Sequence, residues 1–487
     1  MKNQLPKEVK EVISKLEKAG FEAYAVGGCV RDLLLGKEPE DWDVATSATP
    51  EEIQKLFADN FYENAFFTVT VLTSSKKESL KEVEVTTFRA DFEYADRRRP
   101  GKVEYAKTLE EDLSRRDFTI NAIALKQKGK ELEVIDPFDG QGDLKAKVIG
   151  AVGNPKERFK EDALRMMRAV RFVSTLGFQI EETTRKSITE DASLLNEISV
   201  ERVRDELVKL VMAENAKEAM ETLRELGLLQ YILPELQEGW DVTQNKHHIY
   251  TVWEHNLLAF GYAVKNKWSL ETRLASLLHD VGKPRVKKGE GKDSTFYGHE
   301  VMGAKLAKAM LERLKFPRKQ VEKIVKLVRF HLFYYNVDEV TDSSVRRLVR
   351  NVGEENVEEL MQVRMADRIG SGVPKAEPYK LRHLQYVIEK VQKDPISSSM
   401  LKIDGNAIMK MGKLSPGPKV GYILDVLLGE VLEDPKQNTK AYLTKKVEEL
   451  LDMEEAKLLQ LSLEAKAERE QVETKRDEMT KQRYWVS

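Results

Sequence analysis

The 487-residue sequence has one cysteine, no long apolar run and almost no net charge. A single cysteine excludes an internal disulfide framework and fits a reducing compartment. With a formal net charge of −2, the protein is not an all-over polycation, so contacts to nucleic acid would need local basic patches. Because no run of about 18 uncharged apolar residues occurs, we expect no membrane span. The charged, amphipathic start lacks the apolar core of a signal peptide, which indicates a cytoplasmic protein.

The first 150 residues mix strand and helix signals, and the remainder is helical in pattern. "FEAYAVGG" predicts a short buried strand ending in glycines, and "FTVTVLTSS" and "KEVEVTTFRA" alternate with period two. A helix is predicted after Ser47, with Thr49 as N-cap and Pro50 at its first position. Further on, "KEDALRMMRAVRFVSTLGF" predicts one amphipathic helix that ends at Gly177. We therefore expect an α+β fold followed by all-α domains.

The stretch "GGCVRDLLLGKEPEDWDV" contains Asp41 and Asp43, two acids spaced by one residue. On an extended segment such residues point to the same side, so both carboxylates face one point. Two close carboxylates repel each other unless a cation lies between them, and oxygen-only ligation suits Mg²⁺. Gly28 opens a helix where backbone N–H groups can meet phosphate oxygens, although a structural turn is the default interpretation of two glycines. With Arg31, the set fits two-metal phosphoryl or nucleotidyl transfer.

A third carboxylate is needed to orient an attacking hydroxyl group. Glu84 in "VEVTTFR" is the candidate, on a strand that we expect beside the first strand, and a solvent-facing edge acid is the alternative. In "DLSRRDFTINAIAL", Arg116 could clamp a phosphate with its planar guanidinium. Asp117, with Thr119 and Asn121, fits capping and core hydrogen bonds as well as it fits catalysis.

Four segments in this order, "GGCVRDLLLG…DWDVAT", "DLSRRDFTINAIA", "IDPFDGQGDL" and "KEDALRMMRAVRF", resemble the class II tRNA nucleotidyltransferases, the CCA-adding enzymes, and their poly(A) polymerase relatives. "KIDGNAIMKMGKLSPGPKVGYILDVLL" resembles the RNA-binding tail of that family. The resemblance implies five segments: a nucleotidyltransferase head with a small mixed β-sheet at 1–150, a helical neck at 151–240, a metal-binding domain at 241–375, a tRNA-binding tail at 376–450 and a charged helix at 451–487.

The same resemblance implies roles for the residues of the head. Asp41 and Asp43 would hold the catalytic Mg²⁺ ions, while Gly28, Arg31 and Arg116 would contact the incoming nucleotide. The expected partners are the 3′ end of tRNA, CTP and ATP, and no DNA.

The segment "EDALRMMRAVRF" is expected to read the base. Asp162 and Arg165 are three residues apart, so on one helix they share a face. An aspartate accepts from an exocyclic amine and an arginine donates to ring acceptors, which suits cytosine and adenine. The residues alone favour an ordinary salt bridge; the resemblance implies an amino-acid template for CTP and ATP. Arg168 and Arg171 repeat the spacing and would supply phosphate or base contacts, with Glu161 in support.

The polar, basic stretch "FRADFEYADRRRPGKVEY" has the composition of a mobile loop. The resemblance implies that it assists the switch from CTP to ATP, which favours full CCA addition. A solvated basic face is the alternative for Arg97, Arg98 and Arg99.

Four of the seven histidines, together with two aspartates, follow the order of an HD metal phosphohydrolase domain. These residues are His255, His279, Asp280, His299, His331 and Asp367. Imidazoles and carboxylates on helices converge on one or two divalent ions, whose identity stays open. The resemblance to HD-bearing tRNA nucleotidyltransferases implies a 2′,3′-cyclic phosphodiesterase or phosphatase that trims damaged 3′ ends. His247, His248 and His383 fall outside the pattern.

Several alternatives remain at this stage. One is a poly(A) polymerase or an enzyme that adds only A or CC. From other classes, an HD phosphohydrolase with an inert head and an RNA-binding scaffold remain open. The oligomeric state is open too, and the charged C-terminal helix is expected to dock within the chain or to pair weakly in a dimer.

Overall fold

A computed structural model describes residues 5–63, 68–94, 100–129, 131–245, 249–337, 339–392 and 398–486. The chain divides into two compact units. The first unit contains the residues up to 332 together with 362–374, and the second contains 333–361 and the residues from 375 onward. Among the described helices, none combines the length and the apolarity needed to cross a bilayer. The limits predicted for head, neck, metal-binding domain and tail remain predictions.

A seven-stranded mixed sheet forms the centre of the N-terminal segment, in the order β3-β4-β5-β2-β1-β8-β9. Only β2 and β5 of this sheet run parallel; its other neighbouring strands, as far as the structure describes them, are antiparallel. The strands are β1 Ala23–Val26, β2 Asp43–Thr46, β3 Asn60–Glu63, β4 Thr68–Leu72, β5 Glu82–Thr87, β8 Ala124–Lys128 and β9 Glu131–Ile135, with β6 Arg89–Tyr94 and β7 Pro100–Tyr105 as a separate hairpin. The predicted α+β class and small mixed sheet are confirmed.

The α-helices described in this segment are α1 Lys7–Lys18, α2 Gly28–Leu34, α3 Pro50–Leu56, α4 Glu78–Lys81, α5 Leu109–Ser114 and α6 Gly140–Ala146. The predicted start of α3 is confirmed, because Thr49 caps it and exchanges hydrogen bonds with Glu52 in a capping box. A short 3₁₀ helix, Thr119–Asn121, precedes β8. One core cluster packs Phe88 and Leu113 against residues of β1, β2 and β8.

The remainder of the first unit is helical. Its helices are α7 Pro155–Glu161, α8 Leu164–Leu176, α9 Glu182–Asp191, α10 Val200–Met212, α11 Ala216–Glu225, α12 Leu229–Ile232, α13 Pro234–Gln237, α14 Val252–Lys265, α15 Leu270–Leu278, α16 Lys283–Val286, α17 His299–Arg313 and α18 Arg318–Phe330, with a two-stranded pair, β10 Val148–Ile149 and β11 Gln179–Ile180. Gly177, at φ 71°, ends α8 as expected.

The second unit is helical as well. Its helices are α19 Asp342–Val352, α21 Tyr379–Gln392, α22 Gly405–Gly412, α23 Pro418–Glu433, α24 Lys440–Leu451 and α25 Glu455–Tyr484, and α20 Val357–Gly370 has residues in both units. The charged helix α25 docks within this unit: Ser462 and Lys466 both contact Asp425 of α23 at 2.9 Å. Buried apolar residues of α22, α23, α24 and α25 form one core cluster of this unit.

The motif "IDPFDGQGDL" holds the turn before β8 in place. Asp136 accepts from the backbone N–H groups of Gly140 and Gln141 at 2.7 and 2.8 Å, which fixes the start of α6. The Thr119 hydroxyl donates to Asp143. At Gly140, an added Cβ would overlap the carbonyl oxygen of Thr119. The backbone of this motif therefore lies directly against the turn that carries Asn121.

Gly140→Ala should lower the free energy of unfolding by about 1–3 kcal/mol, because the methyl group must displace a backbone carbonyl. Gly421→Ala is the matched control, since its Cβ would meet no described atom within 4 Å in α23, and alanine there should be neutral or stabilising by about 0.5–1 kcal/mol. Thermal and urea unfolding of both variants measure this. Equal stability of the two variants would contradict the predicted overlap.

Candidate active sites

The ten residues predicted to bind Mg²⁺ and nucleotide line one cleft of about 770 Å³. They are Gly28, Arg31, Asp41, Asp43, Glu84, Arg116, Asp162, Arg165, Arg168 and Arg171. Six come from the sheet and its helices and four from the helical segment that follows. The cleft thus brings together side chains that are more than a hundred positions apart in the sequence.

Three carboxylates gather at the strand end of this cleft. The parallel pairing of β2 and β5 places Asp43 opposite Glu84. Burial, followed by the charges of Asp41 and Glu84, raises the pKa of Asp43 to about 6. The expectation that Glu84 lies beside the first strand is wrong, because β2 lies between β5 and β1. Carboxylates that disfavour one another's charge form the oxygen donor set that a hard divalent cation stabilises, so these residues fit Mg²⁺.

The glycine that the cleft requires is Gly27, one residue before the predicted Gly28. Gly27 has φ 79°, a region that side chains disfavour. An added Cβ would lie 2.9 Å from Arg116 Nη1 and 3.3 Å from Asp43 Oδ2. The absence of a side chain therefore lets a guanidinium and a carboxylate approach the end of β1.

The two arginines at this end of the cleft are fixed by neighbouring acceptors. Arg31 donates to both oxygens of Asp32 at 2.9 and 3.0 Å and to Asn121 Oδ1 at 2.9 Å. Arg116 Nη2 donates to Asp112 Oδ2 at 3.1 Å. Burial alone would raise the pKa of Asp112, but the guanidinium groups beside it lower that pKa. Both cations are thereby pre-oriented for an anionic ligand.

The predicted single helix across Asp162 is wrong. α7 ends at Glu161, Asp162 is extended at φ −148° and ψ 103°, and α8 starts at Leu164. Asp162 accepts from the backbone N–H of Leu164 at 3.1 Å, which stabilises the break. Asp162 and Arg165 consequently do not share one continuous helix face, and Arg165 pairs with Glu161 at 2.7 Å. Both side chains still line the cleft.

Asp117 has the structural role that the sequence left open. Its carboxylate accepts from Arg168 at 2.7 Å, from Asn121 at 3.1 Å and from the N–H of Phe118 at 2.8 Å. Burial opposes ionisation, yet Arg168 and Asn121 lower the pKa of Asp117 to about 2. Asp117 therefore links the turn before β8 to α8, and it holds Arg168 at the cleft.

A second cluster contains all six residues predicted for the HD site. Two groups have ligand atoms within 4.8 Å of one another: His255, His279 and Asp367, and Asp280, His299 and His331. His255 Nε2 lies 2.8 Å from His279 Nε2 and 3.0 Å from Asp280 Oδ2. His299 Nε2 lies 3.2 Å from the other oxygen of Asp280. The carboxylate of Asp280 thus lies between the two groups.

Backbone contacts orient three of these imidazoles. The Nδ1 atoms of His279, His299 and His331 lie 2.7–2.9 Å from the carbonyl oxygens three residues earlier. A donor bond from Nδ1 leaves Nε2 with its lone pair free for a metal ion. Buried imidazole nitrogens that face one another and two carboxylates fit one or two divalent cations. A cavity of about 610 Å³ opens at this cluster, and Lys283, Arg364 and Arg368 line it.

Three known families match parts of the chain. Residues 23–150 match the family described as "Poly A polymerase head domain". Residues 177–239 match "Probable RNA and SrmB- binding site of polymerase A", and residues 252–371 match "HD domain". The first match contains the carboxylate end of the cleft, and the last contains the whole histidine cluster.

The curated relatives extend over most of the chain. The CCA-adding enzyme of Limosilactobacillus reuteri is 37% identical over 469 residues, which are 92% of this chain and 98% of that protein. The CCA-adding enzyme of Lactobacillus delbrueckii subsp. bulgaricus is 36% identical over 432 residues, 88% of this chain and 94% of that protein. The chain belongs to the CCA-adding enzyme family. It is accordingly a tRNA nucleotidyltransferase.

A solved structure agrees with this assignment. The CCA-adding enzyme of Bacillus stearothermophilus in complex with CTP is 29% identical, covers 91% of this chain and 98% of its own, and has a TM-score of 0.56. Divalent metal use is implied by the nucleotidyltransferase and HD families, together with the two candidate ligand groups of the histidine cluster.

Some predicted features lie outside the described residues. Arg97, Arg98 and Arg99, on which the predicted basic loop depends, are among them, as are His247 and His248. The backbone of the hairpin β6–β7 is described on both sides of the three arginines.

The sequence did not point to two residues that line the cleft, Gly27 and Asp112, or to two that pair with lining residues, Arg202 and Glu206. Gly27 and Asp112 had weak signals, a glycine pair and acid–arginine spacings of three and four residues. Arg202 pairs with Asp162, and Glu206 pairs with Arg171 at 2.7 Å, across about forty positions. No local pattern links residues so far apart.

Gly27→Ala should reduce CCA addition at least tenfold, since the methyl group displaces Arg116 and crowds Asp43. Gly36→Ala is the control, because Gly36 also has a positive φ (73°) and its Cβ would meet no described atom within 4 Å. Both variants should lose about 1–3 kcal/mol of stability through backbone strain, because each position has a positive φ. Initial rates of nucleotide addition, with thermal unfolding alongside, separate the two effects. Equal rates for the two variants would contradict the role of the close approach.

Proposed function

We propose that this enzyme adds CTP and then ATP to tRNA 3′ ends, by attack of the 3′-hydroxyl on the α-phosphate and release of pyrophosphate. The observation that carries the proposal is the cleft itself, with Asp41, Asp43 and Glu84 at one end and Asp162 and Arg165 at the other. The CTP complex of the related Bacillus stearothermophilus enzyme supports a nucleotide of this kind. A cytoplasmic location follows from the proposed substrate.

The carboxylates are proposed to hold two Mg²⁺ ions. When bound, these ions would polarise the α-phosphate and neutralise the charge that develops on the leaving pyrophosphate. Asp41 and Asp43 supply oxygen ligands, and Glu84 orients the attacking hydroxyl group. Gly28, Arg31 and Arg116 would contact the triphosphate, and their fixed positions avoid reorganisation during the reaction.

The other end of the cleft would read the base without a nucleic-acid template. The Asp162 carboxylate accepts from the N4 amine of cytosine or the N6 amine of adenine, and Arg165 donates to ring acceptors. Uracil and guanine present a carbonyl oxygen where the amine is needed, which leaves the carboxylate without a donor. Arg168 and Arg171 supply further phosphate or base contacts.

The histidine cluster supports a second activity of the same chain. We propose that its six side chains hold divalent metal and hydrolyse phosphate esters such as 2′,3′-cyclic phosphates at damaged RNA ends. The specific observation is the cation-lined cavity at the cluster, where Lys283, Arg364 and Arg368 would neutralise a phosphate. The five-segment organisation, with head, neck, HD domain, tail and charged helix, is part of the proposal.

The deciding experiment incubates the protein with tRNA transcripts that end in the discriminator base, C or CC, together with labelled CTP or ATP and Mg²⁺. Full CCA addition is expected. Addition of adenosine alone, of CC alone, or of a long A tract would instead identify the protein as an A-adding enzyme, a CC-adding enzyme or a poly(A) polymerase, respectively. No addition to any transcript would refute the proposal.

Asp41→Ala should reduce nucleotide addition by about 10² or more, the scale of losing one group that stabilises transition-state charge, and leave hydrolysis unchanged. Asp280→Ala should do the reverse. Labelled nucleotide addition and hydrolysis of a 2′,3′-cyclic nucleotide measure both activities in each variant. If either variant lost both activities, the two sites would not be independent.

Arg165→Ala should blur the selection between CTP and ATP and leave the metal requirement intact, because Arg165 is at the base end of the cleft. Arg185→Ala is a matched control, since Arg185 pairs with Glu225 outside the cleft lining. Sequencing of the added nucleotides at each position checks this. Unchanged selectivity in Arg165→Ala would count against the template.

A further inference from the structure

The carboxylate of Asp162 is bound by the guanidinium group of Arg202. Arg202 of α10 donates from Nη2 to Asp162 Oδ2 at 2.7 Å and from Nη1 to Oδ1 at 3.3 Å. The two side chains are 26% and 21% exposed, so solvent only partly screens the pair. Among the described residues that line the cleft, Asp162 is present and Arg202 is not. Arg202 thus contacts the Asp162 carboxylate from outside the described lining of the cleft.

The acceptor sites of this carboxylate are nearly filled. Two carboxylate oxygens offer about four lone-pair sites. Oδ1 accepts from Leu164 N–H and from Arg202 Nη1, and Oδ2 accepts from Arg202 Nη2. One site on Oδ2 is left for an exocyclic amine. The fork of the guanidinium therefore also fixes the direction in which that site points.

The backbone that carries Arg202 is anchored to the helix that carries Arg165. α10 packs on α8, and its apolar face, with Val203, Leu207 and Leu210, is buried. Ser174 of α8 donates to the carbonyl oxygen of Leu210 at 2.7 Å. The guanidinium thus projects from a rigid pair of helices towards the short break at Asp162.

Arg165 is oriented by partners other than Asp162. Its Nη1 donates to Glu161 at 2.7 Å and to the carbonyl oxygen of Arg158 at 3.3 Å, and Nη2 donates to the carbonyl oxygen of Arg115 at 3.1 Å. The two base-reading side chains are therefore oriented by separate partners, Glu161 for Arg165 and Arg202 for Asp162.

We propose that Arg202 is a positioning residue that aims the Asp162 carboxylate at the exocyclic amine of the incoming base, and thereby sets discrimination of CTP and ATP against UTP and GTP. The inference rests on the proposed base-reading role of Asp162. Removal of Arg202 frees the carboxylate to rotate away from the amine, and the discrimination against a carbonyl oxygen weakens.

The test measures kcat/KM for CTP and for UTP on one tRNA transcript, with Arg202→Ala, Arg202→Lys and Asp162→Ala. The ratio of the two values does not depend on the folded fraction, because both substrates use the same enzyme molecules. Arg202→Ala should lower the CTP/UTP ratio about tenfold or more, the scale of one good polar contact to a base. Arg202→Lys keeps the charge without the fork and should lower the ratio less.

Arg204→Ala is the matched control on the same helix. Arg204 contacts Asp205 and the carbonyl oxygen of Lys315 and is not among the described lining residues, so the ratio should stay at the wild-type value. The double variant of Arg202 and Asp162 should equal Asp162→Ala alone, since one acts through the other.

The outcomes separate the two proposals. If Asp162→Ala lowers the ratio and Arg202→Ala does not, the positioning role is overturned and base reading stands. If Asp162→Ala leaves the ratio unchanged, base reading itself fails and the positioning role fails with it. Should Arg202→Ala not fold, an unchanged ratio in Arg202→Lys overturns the proposal.

Discussion

The register between β2 and β5 is the constraint on which the catalytic cleft depends. It sets Asp43 opposite Glu84 in a parallel pair, with Asp41 two residues before. Burial and the neighbouring carboxylates oppose the charge of Asp43 and raise its pKa to about 6. A shift of one residue in this register would turn Glu84 to the other face of the sheet and dissolve the cluster. The two strands thus hold together carboxylates whose mutual repulsion a bound cation would relieve.

In the cleft as a whole, cationic and anionic side chains are nearly equal in number. The lining contains eight lysine and arginine side chains and nine aspartate and glutamate side chains. Most of its arginines are held by an acid, as Arg168 is by Asp117 and Arg171 by Glu206. A bound triphosphate would therefore meet fixed guanidinium groups in a cleft whose described lining has no net positive charge. Cations held by the carboxylates would supply the attraction that the side chains as a set do not.

Local patterns in the sequence predict much of this site, and long-range pairs are what they miss. The spacing of Asp41 and Asp43, the capping box at Thr49 and the order of the HD residues depend only on neighbours in the sequence. The break at Asp162 does not, because the residues around it favour helix, and the ion pair with Arg202 that helps to stabilise the extended conformation joins residues forty positions apart. Likewise, Glu84 could be placed on a strand, but its neighbouring strand depends on the order of the whole sheet.

The two donor sets of the chain differ in ligand chemistry. The cleft presents carboxylate oxygens, the ligands of hard cations such as Mg²⁺, which retain water and bind phosphate. The histidine cluster presents four imidazoles with two carboxylates, and three of its rings are oriented through Nδ1 contacts to backbone carbonyl oxygens. Imidazole nitrogen prefers transition-metal ions. Because the two donor sets differ in ligand chemistry, transfer and hydrolysis would depend on separate ions bound at separate sites of one polypeptide.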